Sequence, residues 1–333
     1  MAQVEYDLSI LIPARNEMFV SNTVADIVKN KRGRTQVIVG LDGVPADPAI
    51  EDHPDVMVLY VSSSLGQRGM TNALARLSTA KYLAKTDAHC TFKENFDVDL
   101  MKAMEGHDDW TVVPTMKNLH AFDWKCMQCG KRTYQGPTPG SPKQLEANGG
   151  RACEDCDNTT NFTRKLVWKG KPSPNSTSYC FDPEPHFQYF GDFKKRPEGQ
   201  GDITPTMSLQ GSFFMLTRDK YWELNISDEK TFGSWGSQGI EVACKTWLSG
   251  GQVMCVQTTW YAHMFRTQGG DFSFPYHQPQ SQVNEAKAKA RKLFFESKFE
   301  GQIHPLSWLV EKFWPVYGWS EEDLKKLKES ENG

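Results

Sequence analysis

The sequence contains no run of about 18 uninterrupted apolar residues, the minimum that spans a bilayer as a helix. Its first residues, Met1-Ala2-Gln3-Val4-Glu5-Tyr6-Asp7, carry acids where a secretory signal needs a basic and then an apolar stretch. A cytoplasmic protein without membrane attachment is expected, in the host cytoplasm if the source is viral. Charge of one sign is not in excess either, since 38 Lys and Arg stand against 41 Asp and Glu, for a formal net charge of −3. The total gives no sign of nucleic-acid binding, although it leaves room for a local basic face. Internal repeats are absent. Cysteine is present eight times, but four of these stand as Cys126-x2-Cys129 and Cys153-x2-Cys156, a spacing that suits a metal better than a secreted disulfide framework. Cys90, Cys180, Cys244 and Cys255 are scattered and read as buried thiols.

A chain of 333 residues is long enough for one large α/β domain with insertions, or for two domains. Up to residue 90, strand and helix signals alternate. Leu8 to Pro13, Gln36 to Gly40, Val56 to Tyr60 and Tyr82 to Thr86 read as strands, with helical patterns at Asn16 to Asn30 and over 67–80. Such alternation implies a mainly parallel sheet flanked by helices, which binds ligands beyond the carboxyl ends of its strands. Pro13, Asp42 and Asp87 fall at those ends. After a strand at Trp110 to Pro114, residues 122–205 are rich in Gly, Pro, Asn, Thr and Lys with little periodicity, as in an insertion or elaborated loop region. Regularity returns with a strand at Gly211 to Leu216, helices over 218–224 and 237–249, and a strand over 252–260. A basic helix is expected over 281–299, and the aromatic tract from Trp308 to Trp319 is expected to pack a C-terminal segment onto the body. The chain thus divides into 1–121, 122–205, 206–280 and 281–333.

Two constellations carry chemistry. In Thr86-Asp87-Ala88-His89-Cys90 an apolar strand ends in Asp-x-His, which places a carboxylate and an imidazole on one side of an extended chain. His263 is a candidate third ligand. This mixed set suits Mn²⁺ or a similar ion such as Mg²⁺ better than Ca²⁺, which prefers oxygen alone. In the insertion, Cys126, Cys129, Cys153 and Cys156 form two tight turns that together close a tetrahedral Zn²⁺ site; four thiolates leave no open position, so that zinc is structural. Lys125, Lys131, Arg132, Tyr134, Arg151, Arg164, Lys165, Trp168, Lys169 and Lys171 surround it, a mixture of cations and aromatics that can grip a phosphate backbone or simply form a solvated face.

From about Asp7 to Pro275 the chain resembles the GT-A glycosyltransferases, and within them the polypeptide N-acetylgalactosaminyltransferase branch. Leu11-Ile12-Pro13-Ala14-Arg15-Asn16-Glu17 is similar to that family's first strand and turn, Asp42-Gly43 to its second-strand acid and Thr86 to Cys90 to its metal motif. Gly211-Ser212-Phe213-Phe214 with Arg218, Trp235-Gly236 with Glu241, Trp247 and Gly250-Gly251, and His263-Met264-Phe265-Arg266 follow in the family's order. The resemblance implies a UDP-sugar donor, a metal held by Asp87, His89 and His263, and a base pocket of Pro13, Ala14 and Asp42. It further implies Trp235, Gln238 and Glu241 around the donor sugar, Arg266 on the diphosphate, and a loop over 267–275 that closes on the donor. Arg68 is a candidate phosphate contact. Gln238 stands where the family has Glu, so the family's sugar is not carried over. The four-cysteine insertion is absent from the family pattern.

The expected protein is therefore a metal-dependent hexosyl- or N-acetylhexosaminyltransferase moving a sugar from a UDP-sugar to an acceptor hydroxyl, retaining configuration by family analogy. The leading acceptor is a 5-hydroxymethylpyrimidine in viral DNA, with a protein Ser or Thr hydroxyl as the alternative. A non-catalytic zinc-ribbon binding protein on a relic GT-A core is the rival of another class, opposed by the intact set of Asp87, His89 and His263.

Overall fold

The structure, a computed structural model, describes residues 5–265 and 280–331. Strands β1 (Leu8–Ala14) and β2 (Thr35–Asp42) are buried along their whole length, as strands covered on both faces must be. With β3 (Val56–Val61) and β4 (Tyr82–Thr86) they form a parallel set, β4 beside β1, β1 beside β2 and β2 beside β3. Two crossover helices, α1 (Val20–Asn30) and α2 (Gly66–Leu77), join β1 to β2 and β3 to β4. Helix α1 buries Val20, Thr23, Val24 and Ile27, the i, i+3, i+4, i+7 stripe of a helix lying on a sheet. Parallel pairing brings Ala14, Asp42 and Thr86 to one edge, and the chemistry gathers there.

Beyond β5 (Cys90–Phe92) and α3 (Phe96–Ala103) the sheet becomes mixed. Strand β6 (Trp110–Cys126) continues unbroken across residues 121 and 122, and its outer half pairs antiparallel with β7 (Arg132–Tyr134) and β8 (Phe162–Ser176) in a ribbon. The insertion expected to be irregular is thus ordered β-structure, closed at its tip by the cysteine turns and the short α4 (Pro142–Ala147). Its alternation is masked in sequence by register shifts between Lys117 and Leu119 and between His120 and Phe122, where additional residues of β8 break the period of two. The Gln135 amide fills the second irregularity, accepting from Ala121 N at 2.6 Å and donating to Leu119 O at 3.0 Å.

A hairpin of β9 (Tyr179–Phe181) and β10 (Phe187–Tyr189) and the short β11 (Ile203–Pro205) lead back into the body. Strand β12 (Phe213–Thr217) inserts antiparallel between β4 and β6. Helices α5 (Arg218–Glu223), α6 (Glu229–Phe232) and α7 (Gln238–Leu248) precede β13 (Gln252–His263), which lies parallel to β6. The sheet order is β11-β13-β6-β12-β4-β1-β2-β3. Helices α8 (Gln280–Ala290), α9 (Leu306–Lys312) and α10 (Glu321–Glu331) complete the fold. The aromatic tract packs onto the body as expected: Trp319 Nε1 donates to Phe181 O at 2.7 Å, and Trp247 meets both Trp308 and Phe313 edge-on. No helix among the described residues is long and apolar enough to cross a membrane.

Candidate active site

Asp87 follows β4 directly and is anchored by its amide to Ser212 O at 2.9 Å. His89 leads into β5, whose Cys90 lies opposite His263 at the end of β13. This pairing brings the three residues together from two ends of the chain: His89 Nε2 lies 3.0 Å from His263 Nε2, and His263 Nε2 lies 3.3 Å from Asp87 Oδ2. Two imidazole nitrogens this close need something positive between them, a proton or a cation. Ligands at adjacent vertices of an octahedron with bonds of about 2.1 Å are separated by about 3.0 Å, so the spacing fits a small divalent ion.

The protonation states agree with that use. Burial, helped by His89 and Lys85 and opposed by Asp87, pushes His263 down to about 4, so it is neutral at ordinary pH. Burial alone would raise Asp87, but the charge of Lys85 and the hydrogen bond from His263 hold its carboxyl well below the usual range. Glu17 Oε2 lies 3.2 Å from His89 Nδ1; with the proton on Nδ1, the Nε2 lone pair faces the other ligands. His263 Nδ1 is buried with no partner among the described residues.

Glu17 and Lys85 are functional neighbours that the sequence reading missed. Lys85, 1 % exposed, bonds Asp87 Oδ1 and donates to Gly211 O at 2.8 Å. Its position two residues before Asp87 on a strand was the available signal, because alternate residues share a face. Glu17 sits in the turn after β1, and no spacing in the sequence ties it to His89.

Beside Asp87 opens a cavity of about 430 Å³, within the usual size of a small-molecule site. Trp235 and Gln238 line it, together with Gln67, Lys85, His186 and Lys287. Gln238 Nε2 donates to Ser227 Oγ at 3.3 Å, which orients the amide.

Several expected contacts lie elsewhere. Arg68 is 1 % exposed and does not line this cavity; its Nη2 donates to Glu241 Oε2 at 2.7 Å and to Gly236 O at 2.6 Å. Glu241 is fully buried, bonded also to Lys245 Nζ at 3.0 Å and Asp228 N at 2.9 Å. The pair ties α2 to α7 and holds the Gly236 carbonyl just after Trp235, and neither side chain lines this cavity. Asp42 is likewise fully buried, its carboxylate accepting from Ser64 Oγ, Leu65 N and Gly66 N at 2.7–3.0 Å. It braces the turn into α2 and does not line the cavity. Pro13 and Ala14 are buried at the end of β1, away from the cavity. Arg266 and the loop over 267–275 lie outside the described residues.

All eight cysteines of the chain are free thiols, and four of them converge at the ribbon tip. Cys126 Sγ lies 3.6 Å from Cys156 Sγ, and Cys129 Sγ lies 3.6 Å from Cys153 Sγ. A disulfide needs about 2.05 Å; a tetrahedron of sulfurs at about 2.3 Å from one ion has edges of about 3.8 Å. Asn158 Nδ2 donates to Cys126 Sγ at 3.1 Å, as a group stabilising a thiolate does. Burial opposes ionisation of Cys126, but hydrogen bonds from the Cys129 backbone, the Asn158 side chain and the Gln128 backbone bring it down to about 6.

The parallel half-sheet, the Asp-x-His turn at its carboxyl edge and the antiparallel β12 beside it define a GT-A fold. Among solved structures the chain is similar to GalNAc-T7, solved with UDP, GalNAc and Mn²⁺: TM-score 0.59 at 14% identity, over 98% of this chain and 55% of that one. At that identity the likeness establishes the fold, and this chain spans little more than half of the other's length. Two structures of S. aureus TarS are more distant, with TM-scores of 0.42 and 0.41 at 9% and 8% identity, covering 77% and 98% of this chain and 60% and 42% of theirs. No family model matches the sequence.

Proposed function

We propose that the protein is a metal-dependent glycosyltransferase that moves a sugar from a UDP-sugar to a hydroxyl. The observation that carries this reading is the convergence of Asp87, His89 and His263 at the edge of a cavity walled by Trp235 and Gln238. Asp87, His89 and His263 would hold a divalent ion, which would supply Lewis-acid neutralisation of the departing diphosphate, worth roughly several kcal/mol in the transition state. Glu17 holds the His89 tautomer, and Lys85 holds the Asp87 carboxylate. Trp235 offers the donor sugar a flat apolar wall, and Gln238 offers its hydroxyls a fixed amide. In the reaction the bond from the anomeric carbon to the diphosphate oxygen breaks and a bond to the acceptor oxygen forms. The acceptor proton passes to the departing phosphate on the same face, which retains configuration.

For the acceptor we infer a 5-hydroxymethylpyrimidine in DNA, supported by the basic ribbon that β6 joins to the site and by Lys287 in the cavity lining. Incubation with labelled UDP-sugars in Mn²⁺ is expected to label DNA containing hydroxymethylcytosine and not a mixture of Ser/Thr peptides. Label confined to peptide would transfer the acceptor role to protein hydroxyls.

The four cysteines hold a structural zinc in the same reading. Elemental analysis is expected to find one zinc per chain, lost when Cys126→Ser and Cys153→Ser are combined; zinc content unchanged by that double substitution contradicts the assignment.

A further inference from the structure

Directly opposite residues on antiparallel strands share a face. Across β7, β6 and β8 this places Tyr134, Asp123 and Lys165 in one row and Arg132, Lys125 and Thr163 in the next. His120 joins that face, its ring 4.6 Å from that of Tyr134, and Lys169 lies opposite His120. Lys171 Nζ stands 4.6 Å from the centre of the same tyrosine ring. Five cations therefore share one surface with a single carboxylate, and that carboxylate, Asp123, already binds His120 and Arg132. Such a concentration is unusual in a chain whose net charge is −3.

The structure also separates these cations from others nearby. Arg164 lies over Phe122 and Trp124, whose side chains are buried with Phe19 on the reverse of the ribbon. Lys131 pairs with Glu154 and Asp155. Lys165, Lys169 and Arg132 remain exposed on the basic face.

Strand β6 links this face to the candidate active site. Asn118 stands beside His263, and at about 3.3 Å per residue Asp123 and Lys125 follow at about 17 and 23 Å. A duplex advances about 3.4 Å per base pair, so the face lies about five to seven base pairs from the metal ligands. A base swung out of a duplex into the cavity leaves its flanking backbone within reach of the ribbon.

We propose that this face docks the phosphate backbone of duplex DNA and holds it to one side of the target base. The proposal deepens the DNA-acceptor reading and rests on it. Backbone contact is the fitting chemistry because the face presents repeated cations with few acceptors to read base edges.

Binding of an unmodified duplex of about 20 base pairs is measured by fluorescence anisotropy across a salt series. Each phosphate neutralised contributes about −0.9 to the slope of log K against log salt. Combined Lys165→Glu and Lys169→Glu is expected to make the slope shallower by about 2 and to weaken binding at least tenfold at low salt. Lys325→Glu with Lys326→Glu on α10 is expected to bind like the wild type. Zinc content and thermal unfolding establish that the ribbon variant is folded. Equal affinity and slope in wild type and ribbon variant overturn the proposal, as does wild-type preference for an acidic peptide over the duplex. Duplex binding through this face without transfer to hydroxymethylated DNA leaves the docking surface standing and overturns only the acceptor reading.

Discussion

Asp87→Asn is expected to lower sugar transfer about a thousandfold in saturating Mn²⁺. The magnitude follows from the several kcal/mol that a Lewis acid contributes at a departing diphosphate, at about 1.4 kcal/mol per tenfold. Asparagine keeps the shape of aspartate but removes the charge that faces His263 Nε2 at 3.3 Å. The same change leaves the Lys85 ammonium, 1 % exposed, with neutral oxygen partners and no counter-charge, so some stability is lost as well. Adding Lys85→Met separates the two effects: thermal stability returns, transfer does not. Transfer within tenfold of wild type in the single variant would show that Asp87 does not act in the reaction.

Glu241→Ala is expected to destabilise the protein by about 3–5 kcal/mol, the usual cost of breaking a buried ion pair from one side. It strands Arg68 and Lys245, which are 1 % and 2 % exposed and both bonded to the Glu241 carboxylate. Removing charge from both sides with Arg68→Met, Lys245→Met and Glu241→Leu is expected to recover most of the loss. The pH dependence has a definite sign. Burial by itself would raise Glu241, but the charges of Lys245 and Arg68 and the bond from Asp228 N leave its carboxyl below its ordinary 4.5. Its contribution is full above that value and disappears as pH falls through the lower folded value. Acid unfolding of Glu241→Gln should be correspondingly less steep; identical profiles for wild type and variant would contradict the network's role.

The parallel half-sheet was legible because β1, β2 and β4 are short apolar runs cut by turn residues, and the Asp87–His89 pair because Asp-x-His spacing is a local property of an extended strand, whereas His263, 174 positions from His89, came from the resemblance. Lys85 was within reach of the same rule. Arg68 and Glu241 were not: they are 173 positions apart, and which charge is buried against which is decided by how α7 settles on α2. The ribbon was hidden for another reason, since its register shifts erase the alternation that marks a strand. Asp42 had the residue type of a ligand and the neighbours of a brace, and only the fold brings Ser64, Leu65 and Gly66 to its carboxylate.

The most direct test of the account is the affinity of UDP measured by calorimetry with Mn²⁺ and with chelator, in wild type and in His263→Ala. A metal held by Asp87, His89 and His263 predicts UDP binding at least tenfold tighter with Mn²⁺ in the wild type and no such gain in the variant. Equal UDP affinity with and without the ion in the wild type would contradict it.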